Sequence, residues 1–178
     1  MKHINFTPFP LLKTARLQLR KLKKEDAVTI LFLRSDPEVN KYIKRPKPES
    51  TDDALAFISK INNGIEENEW VYWCISLKEN HKVIGTICLW HFSEDKKIAE
   101  VGYDLHPDYH QKGIMNEALN CVLNFGFNTL NLNKIEAFTH RNNQASKKLL
   151  INNKFIYNKH RKDEDNLDNR IFIAQNPN

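Results

Sequence analysis

The residues best placed to do chemistry in this chain of 178 residues lie in the stretch 99–130. Its sequence, AEVGYDLHPDYHQKGIMNEALNCVLNFGFNTL, reads as a buried strand, a polar loop carrying Gly113 and an amphipathic helix. Gly113 lets backbone approach a ligand closely. The helix after it offers unpaired N–H groups and the positive end of its dipole. Lys112 adds a mobile positive charge. A loop of this kind suits the pyrophosphate of a nucleotide-like cofactor. The same pattern also describes an ordinary connection from strand to helix, so the segment alone leaves both readings open.

Other chemistries find less footing. The seven histidines include no H-E-x-x-H motif, and no metal site is expected. Cys74, Cys88 and Cys121 stand singly in apolar contexts and read as buried small hydrophobes of a reducing compartment. The net charge of +5 favours anionic partners. Its lysines and arginines are scattered, however, without the density or aromatic interleaving of a nucleic-acid groove. No apolar run is long enough to cross a bilayer. The N-terminal MKHINFTPFPLLKTARL has no uninterrupted apolar core before a small-residue cleavage site. A cytoplasmic protein with no nucleic-acid or membrane partner is therefore expected.

These residues need a scaffold to position them. With 40% apolar and 28% charged residues the chain can bury a substantial core, and a single domain over 1–178 is expected. Residues 1–13 carry two prolines and no periodicity, and read as an irregular lead-in. A half-buried strand follows over 16–20. A helix starts at Lys24 and ends at Asp36-Pro37. Residues 40–50 form a loop, and Ser50 or Thr51 caps a second helix with Ala54, Leu55, Phe57, Ile58 and Ile61 on its apolar face. Three strands of a meander follow, at 70–77, 83–92 and 98–105. His106-Pro107 stops the third. A helix runs from Gly113, with Ile114, Met115, Ala118, Leu119, Val122 and Leu123 inward. A strand at 134–139, a short helix capped by Asn142 or Asn143, and strands at 155–158 and 171–174 complete the order. A meander followed by β-α-β-α-β implies an α+β (mixed α/β) fold, whose mixed sheet carries helices on both faces.

Three segments together resemble the GNAT superfamily of acyl-CoA-dependent N-acetyltransferases, most closely its branch acting on ribosomal-protein N-termini and small amines. AEVGYDLHPDYHQKGIMNEAL is similar to the family's strand, pyrophosphate loop and helix. KIEAFTHRNNQASKKLL is similar to the strand and helix that follow, and TARLQLRKLKKEDA to the first strand and helix start. The resemblance implies a GNAT-like fold, with a central, mostly antiparallel sheet of about six to seven strands. It implies acetyl-CoA as cosubstrate, transferring its acetyl group to a primary amine by direct attack in a ternary complex. The acceptor would be a protein N-terminus, a polyamine or another small amine, chosen by residues 24–68 and the segment after Phe155. A CoA-binding sensor or interaction module of the same fold is the alternative. The aromatic hairpin around Trp70, Tyr72, Trp73 and Trp90 fits either the core or a surface that covers a partner, and a homodimer is one open state of assembly.

By the same resemblance the strand before the loop splays from its neighbour to admit the pantetheine arm. Tyr103, Asp104 and Leu105 would meet that arm through main-chain groups. His110, Gln111, Lys112, Gly113, Ile114 and Met115 would form the pyrophosphate loop, and Asn143 would lie beside the arm on the far side. The transfer requires a base for the amine and an acid for the leaving thiolate. Glu136 stands where some members place a base, and Glu100 is a second carboxylate at the strand edge. Ser146 is the hydroxyl for the thiolate, since Leu150 occupies the position of a tyrosine used by some members. Each of these also has a plain structural reading, as a solvated strand carboxylate or a first-turn helix serine. Four residues depart from the family pattern. His110 replaces glutamine or arginine, Gln111 replaces glycine, Met115 replaces glycine or alanine, and Lys154 replaces a glycine before Phe155. Backbone donation survives these changes where the local φ does not demand glycine.

Overall fold

The computed structural model describes residues 4–177, so residues 1–3 of the lead-in lie outside the described residues. The strands are β1 (Leu12–Lys13), β2 (Leu17–Arg20), β3 (Val71–Leu77), β4 (Val83–Trp90), β5 (Ile98–Leu105), β6 (Lys134–His140), β7 (Ile156–Tyr157) and β8 (Asn169–Gln175). The helices are α1 (Ala27–Ser35), α2 (Thr51–Glu66), α3 (Ile114–Asn124) and α4 (Gln144–Asn152). The strands form one sheet in the order β1-β2-β3-β4-β5-β6-β8-β7. Every neighbouring pair is antiparallel except β5 with β6.

The sheet has eight strands rather than six or seven. The extra one is Leu12–Lys13, inside the segment expected to be irregular. Two residues are too short to show an alternation, and only pairing with Leu19 and Gln18 makes them a strand. The first helix also starts later than its sequence suggests. Residues Lys24–Asp26 form a 3-10 turn before α1. Asp26 is held there from outside the helix, by both guanidinium nitrogens of Arg20 at 2.8 and 2.9 Å and by the Lys23 N–H at 2.8 Å.

Helix α2 begins as its sequence indicates. Ser50 accepts from the Asp53 N–H at 3.2 Å, and Asp53 accepts from the Ser50 N–H at 3.0 Å, a reciprocal capping box. Ala54, Ile58, Ile61 and Ile65 are buried along it. Gly64 lets the Trp70 ring lie against the helix, since a Cβ there would stand 2.0 Å from the ring. Helix α3 ends in a π turn, Phe125–Thr129, with the Leu130 N–H donating to the Phe125 carbonyl at 3.1 Å. The wider turn carries Phe125 onto Trp73, edge to face at 5.5 Å.

Alternation along the strands separates the two faces. One face presents Trp73 to Phe125 at the end of α3, and the other presents Tyr72 to Phe57 of α2. Helices α1 and α2 thus cover the face of Tyr72, Thr86, Cys88 and Asp104, while α3 and α4 cover the opposite face. Trp73 is fully buried and belongs to the core. Cys74 and Cys88 are buried too, and burial pushes both thiols up to about 12.

Candidate active site

The β5–β6 pair is the opening of the site. Strand β5 pairs with β4 along its length, from Trp90↔Glu100 to Gly85↔Leu105. Strand β6 pairs with β8 from Lys134↔Gln175 to His140↔Asn169. Between themselves, β5 and β6 pair only at Ile98↔Lys134, Ala99↔Ile135 and Glu100↔Glu136. Beyond Glu100 and Glu136 the strands part, and the facing backbone edges of 101–105 and 137–140 border a gap. A cavity of about 770 Å³ occupies this region, lined by Gly102, Tyr103 and Asp104 on one side and Phe138, Thr139 and His140 on the other. No helix among the described residues is long and apolar enough to cross a membrane.

The loop expected to bind pyrophosphate leaves the end of β5. His110 folds back on that strand, its Nε2–H donating to the Leu105 carbonyl at 2.9 Å. Gln111 adopts φ 59° and Gly113 φ 72°. Gly113 is the N-cap of α3, and the Glu117 N–H donates to its carbonyl at 3.0 Å, so the N–H groups before Glu117 start the helix without partners in it. Ile114 and Met115 are buried beneath the loop, while Gln111, Lys112 and Gly113 face solvent. Gln111 therefore stands where glycine would be unstrained. Lys154, the other glycine replacement, has φ 65° just past the end of α4.

Arg16 braces this loop, a part that reading the sequence did not give it. Its Nη1 donates to the Lys112 carbonyl at 3.0 Å and its Nε to Glu117 at 2.7 Å. Burial pushes Glu117 up, but the Thr14 hydroxyl and the Arg16 groups outweigh it and hold the carboxyl below its ordinary range. Lys112 and Lys82 place their ammonium groups 5.4 and 5.7 Å from the Tyr109 ring, adding positive charge beside the loop.

Across the gap, Ser146 lies in the first turn of α4, its N–H donating to the Asn143 side chain at 3.0 Å. Asn143 thus caps the helix with its Oδ1 and lines the cavity. The Tyr103 hydroxyl is 2.8 Å from the Ser146 hydroxyl, and burial pushes the Tyr103 phenol up to about 12. Tyr103 therefore carries a side-chain partner of Ser146 besides the main-chain groups expected of it.

Glu100 and Glu136 sit side by side where the strands part, but their surroundings differ. Glu136 is held by the guanidinium of Arg161. Glu100 lines the cavity with its carboxylate 2.9 Å from His91 Nδ1, and burial raises its pKa above the ordinary carboxylate range. His91 stacks on Trp90 with ring centroids 4.2 Å apart. Asp104 turns its side chain away from the gap into the wall beneath α1 and α2. It accepts from the Thr86 hydroxyl at 2.6 Å and from Arg45 at 2.9 Å, and Tyr72 donates to Thr86 at 2.9 Å. Arg45 also donates to Asn40 at 2.7 Å and to the Leu33 carbonyl at 2.9 Å. His91, Arg45 and Arg16 carry no local sequence signal, because each acts through a partner remote in the chain.

The family model described as acetyltransferase (GNAT) domain matches residues 16–156. The uncharacterized N-acetyltransferase p20 of Bacillus licheniformis is 38% identical over 139 residues, 78% of each chain. The ribosomal-protein-S5-alanine acetyltransferase of Vibrio fischeri has a similar structure, with a TM-score of 0.79 and 23% identity over 95% of this chain and 98% of that one. A spermidine N-acetyltransferase of Vibrio cholerae, solved with CoA and spermine, gives a TM-score of 0.78 and 21% identity over 92% of this chain and 97% of that one.

Proposed function

The chain belongs to the GNAT acetyltransferase family and is an acyl-CoA-dependent N-acetyltransferase, and on that premise we propose that acetyl-CoA lies in the gap between β5 and β6 while a primary amine attacks its thioester from the cavity. The parting of the strands after Glu100 and Glu136, directly upstream of the Gly113 loop, carries this reading. The free strand edges offer main-chain groups to the amides of the pantetheine arm. The loop and the start of α3 offer N–H groups to the pyrophosphate. Solved with CoA, the Vibrio cholerae enzyme of the same fold supports the choice of ligand.

In the ternary complex the neutral amine forms a C–N bond with the thioester carbonyl carbon and the C–S bond breaks. Glu100 takes the proton lost by the nitrogen. Its burial makes it a stronger base than an exposed carboxylate, and His91 leads outward from it. The CoA sulfur takes a proton from the Ser146 hydroxyl, with Tyr103 behind it to replace that proton. Glu136, tied to Arg161, anchors the segment after β7. The acceptor is held by the walls that α1, α2 and residues 161–169 place around the cavity. Three free cysteines, Cys74 and Cys88 buried and Cys121 only half-buried, support a reducing, cytoplasmic setting.

Two measurements test this. Saturating acetyl-CoA raises the melting temperature, because a ligand bound only by the native state stabilises it. Thiol release from acetyl-CoA then follows addition of a competent amine from a panel of N-terminal peptides, polyamines and amino compounds. Absence of any thermal shift sinks the assignment of the gap to CoA.

A further inference from the structure

The charges around the acceptor cavity do not cancel where they stand. Asp104 is paired with Arg45. Asp163 is turned onto its own loop, accepting from the N–H groups of Asp165 and Asn166 at 3.1 and 3.3 Å and from the Asn169 side chain at 2.8 Å. Asp168 is taken by Arg141 at 3.0 Å. Asp163 and Asp168 are thus engaged in holding their loop, while the exposed Asp165 lines the rim of the cavity. Glu100 remains as the half-buried carboxylate lining the cavity, without a guanidinium partner among the described residues.

The opposite wall is cationic. Arg34, in the last turn of α1, places its guanidinium 3.9 Å from the Phe57 ring centroid, and that group has no hydrogen bond or close ion pair among the described residues. It lines the cavity together with Lys44 and Lys60, which also have no ion pair among the described residues. Burial, and then the neighbouring Arg45, lower the Arg34 pKa from its ordinary value, more than Tyr72 and Asp104 raise it. The group still stays protonated at neutral pH. Asp104 offsets only part of the desolvation of this half-buried cation, because that carboxylate is hydrogen-bonded to Arg45. A planar anion in front of Arg34 supplies that charge in the geometry a guanidinium fork prefers.

Resting on the transfer reaction above, we propose that the acceptor is a small amine carrying an anionic group, carboxylate or phosphate, which Arg34 binds while the amine lies toward Glu100 and the gap. The dimensions agree. Arg34 stands by Tyr72, and Tyr72 is separated from Gly102 on the gap edge by two strand spacings, through Cys88. That is roughly 10 Å, which a molecule of amino-acid size bridges with the reach of the arginine side chain. A polyamine, by contrast, brings further ammonium groups against Arg34, Lys44 and Lys60.

Matched acceptors test the proposal in thiol-release assays on the full chain with acetyl-CoA. One arm compares an ω-amino carboxylic acid with its primary amide, and the other an aminoalkyl phosphate with the corresponding amino alcohol. In at least one arm the anionic member has a kcat/KM at least about tenfold higher, mainly through KM, the scale of a charge-assisted hydrogen bond. The arm that shows it identifies the anion. Arg34→Gln lowers that ratio at least about tenfold, and Arg34→Lys lowers it less, because charge remains while the fork is lost. A ratio of one or below in both arms, or a ratio unchanged by Arg34→Gln, overturns the proposal. If Arg34→Gln does not fold, competition in the unaltered protein decides. Glutarate or inorganic phosphate competes with a neutral amine acceptor if the site is as described, and absence of competition by both overturns it. Turnover of spermidine and neutral amines alone overturns the anion site and leaves the transfer reaction standing. No thiol release with any amine overturns both.

Discussion

Around Gly113 the protein presents backbone, and around Arg45 it presents side chains. The loop side is made of consecutive residues, 110–115, proposed to meet the pyrophosphate through N–H groups rather than side chains. His110 and Gln111 depart from the family pattern there, and the structure absorbs both: the imidazole turns back to Leu105 and Gln111 takes a left-handed φ. The Arg45 side joins Asn40, Arg45, Tyr72, Thr86 and Asp104 from four parts of the chain in one network. Backbone sites tolerate substitution, whereas a buried network leaves a charge stranded when one member is removed.

The sharpest way to break that contrast is Arg45→Ala. It strands Asp104, whose side chain is only 5% exposed, and is expected to cost about 3–5 kcal/mol in denaturant unfolding. His110→Ala on the loop side, removing a single neutral hydrogen bond, is expected to cost about 1 kcal/mol. Equal costs for the two would end the distinction.

Glu100→Gln comes next, lowering kcat/KM about a hundredfold or more, with the fold retained. In the unaltered protein kcat/KM rises with pH through the Glu100 pKa, at a pH above the ordinary carboxylate range, and this limb disappears in the variant. The stability effect has the opposite sign. A raised native pKa means the folded state holds the proton more tightly, so the contribution of Glu100 is full below its unfolded pKa and is lost as pH rises through the native value. Glu100→Gln should therefore flatten stability against pH in that window, which melting curves across the acid range would show.

Smaller effects belong to the left-handed positions. Gln111→Gly and Lys154→Gly each relieve a strained φ worth about 1–2 kcal/mol but loosen the unfolded chain, for a net gain of about 0.5–1 kcal/mol. Acetyl-CoA affinity measured by calorimetry should barely change for Gln111→Gly, because the N–H groups stay. A large loss would show that the side chain, not the backbone, holds the ligand. Smallest is Arg161→Gln. Its guanidinium is 49% exposed, and losing the pair with Glu136 is expected to cost about 0.5 kcal/mol and leave the pH profile of turnover unchanged. A shifted profile would return the base to Glu136.

Much of this molecule can be read from its residues in order. The strand over 98–105, the cap at Ser50, the stripe from Ile114 to Leu123 and the glycine at the start of α3 all rest on neighbours within a few positions. Such features follow from side-chain period and backbone preference, which act locally. Leu12–Lys13 escapes because two residues carry no period, and the π turn after Asn124 because its width is set by packing Phe125 on Trp73. The carboxylates show the boundary most clearly. By itself the sequence determined that Glu100 and Glu136 end up on strands beside a loop with free N–H groups. Tertiary structure alone decided that Glu136 meets Arg161, Glu100 meets His91, Asp104 meets Arg45 and Arg34 forms no close ion pair among the described residues. Charge and burial depend on what the folded chain brings across the gap, and no spacing along the sequence encodes that distance.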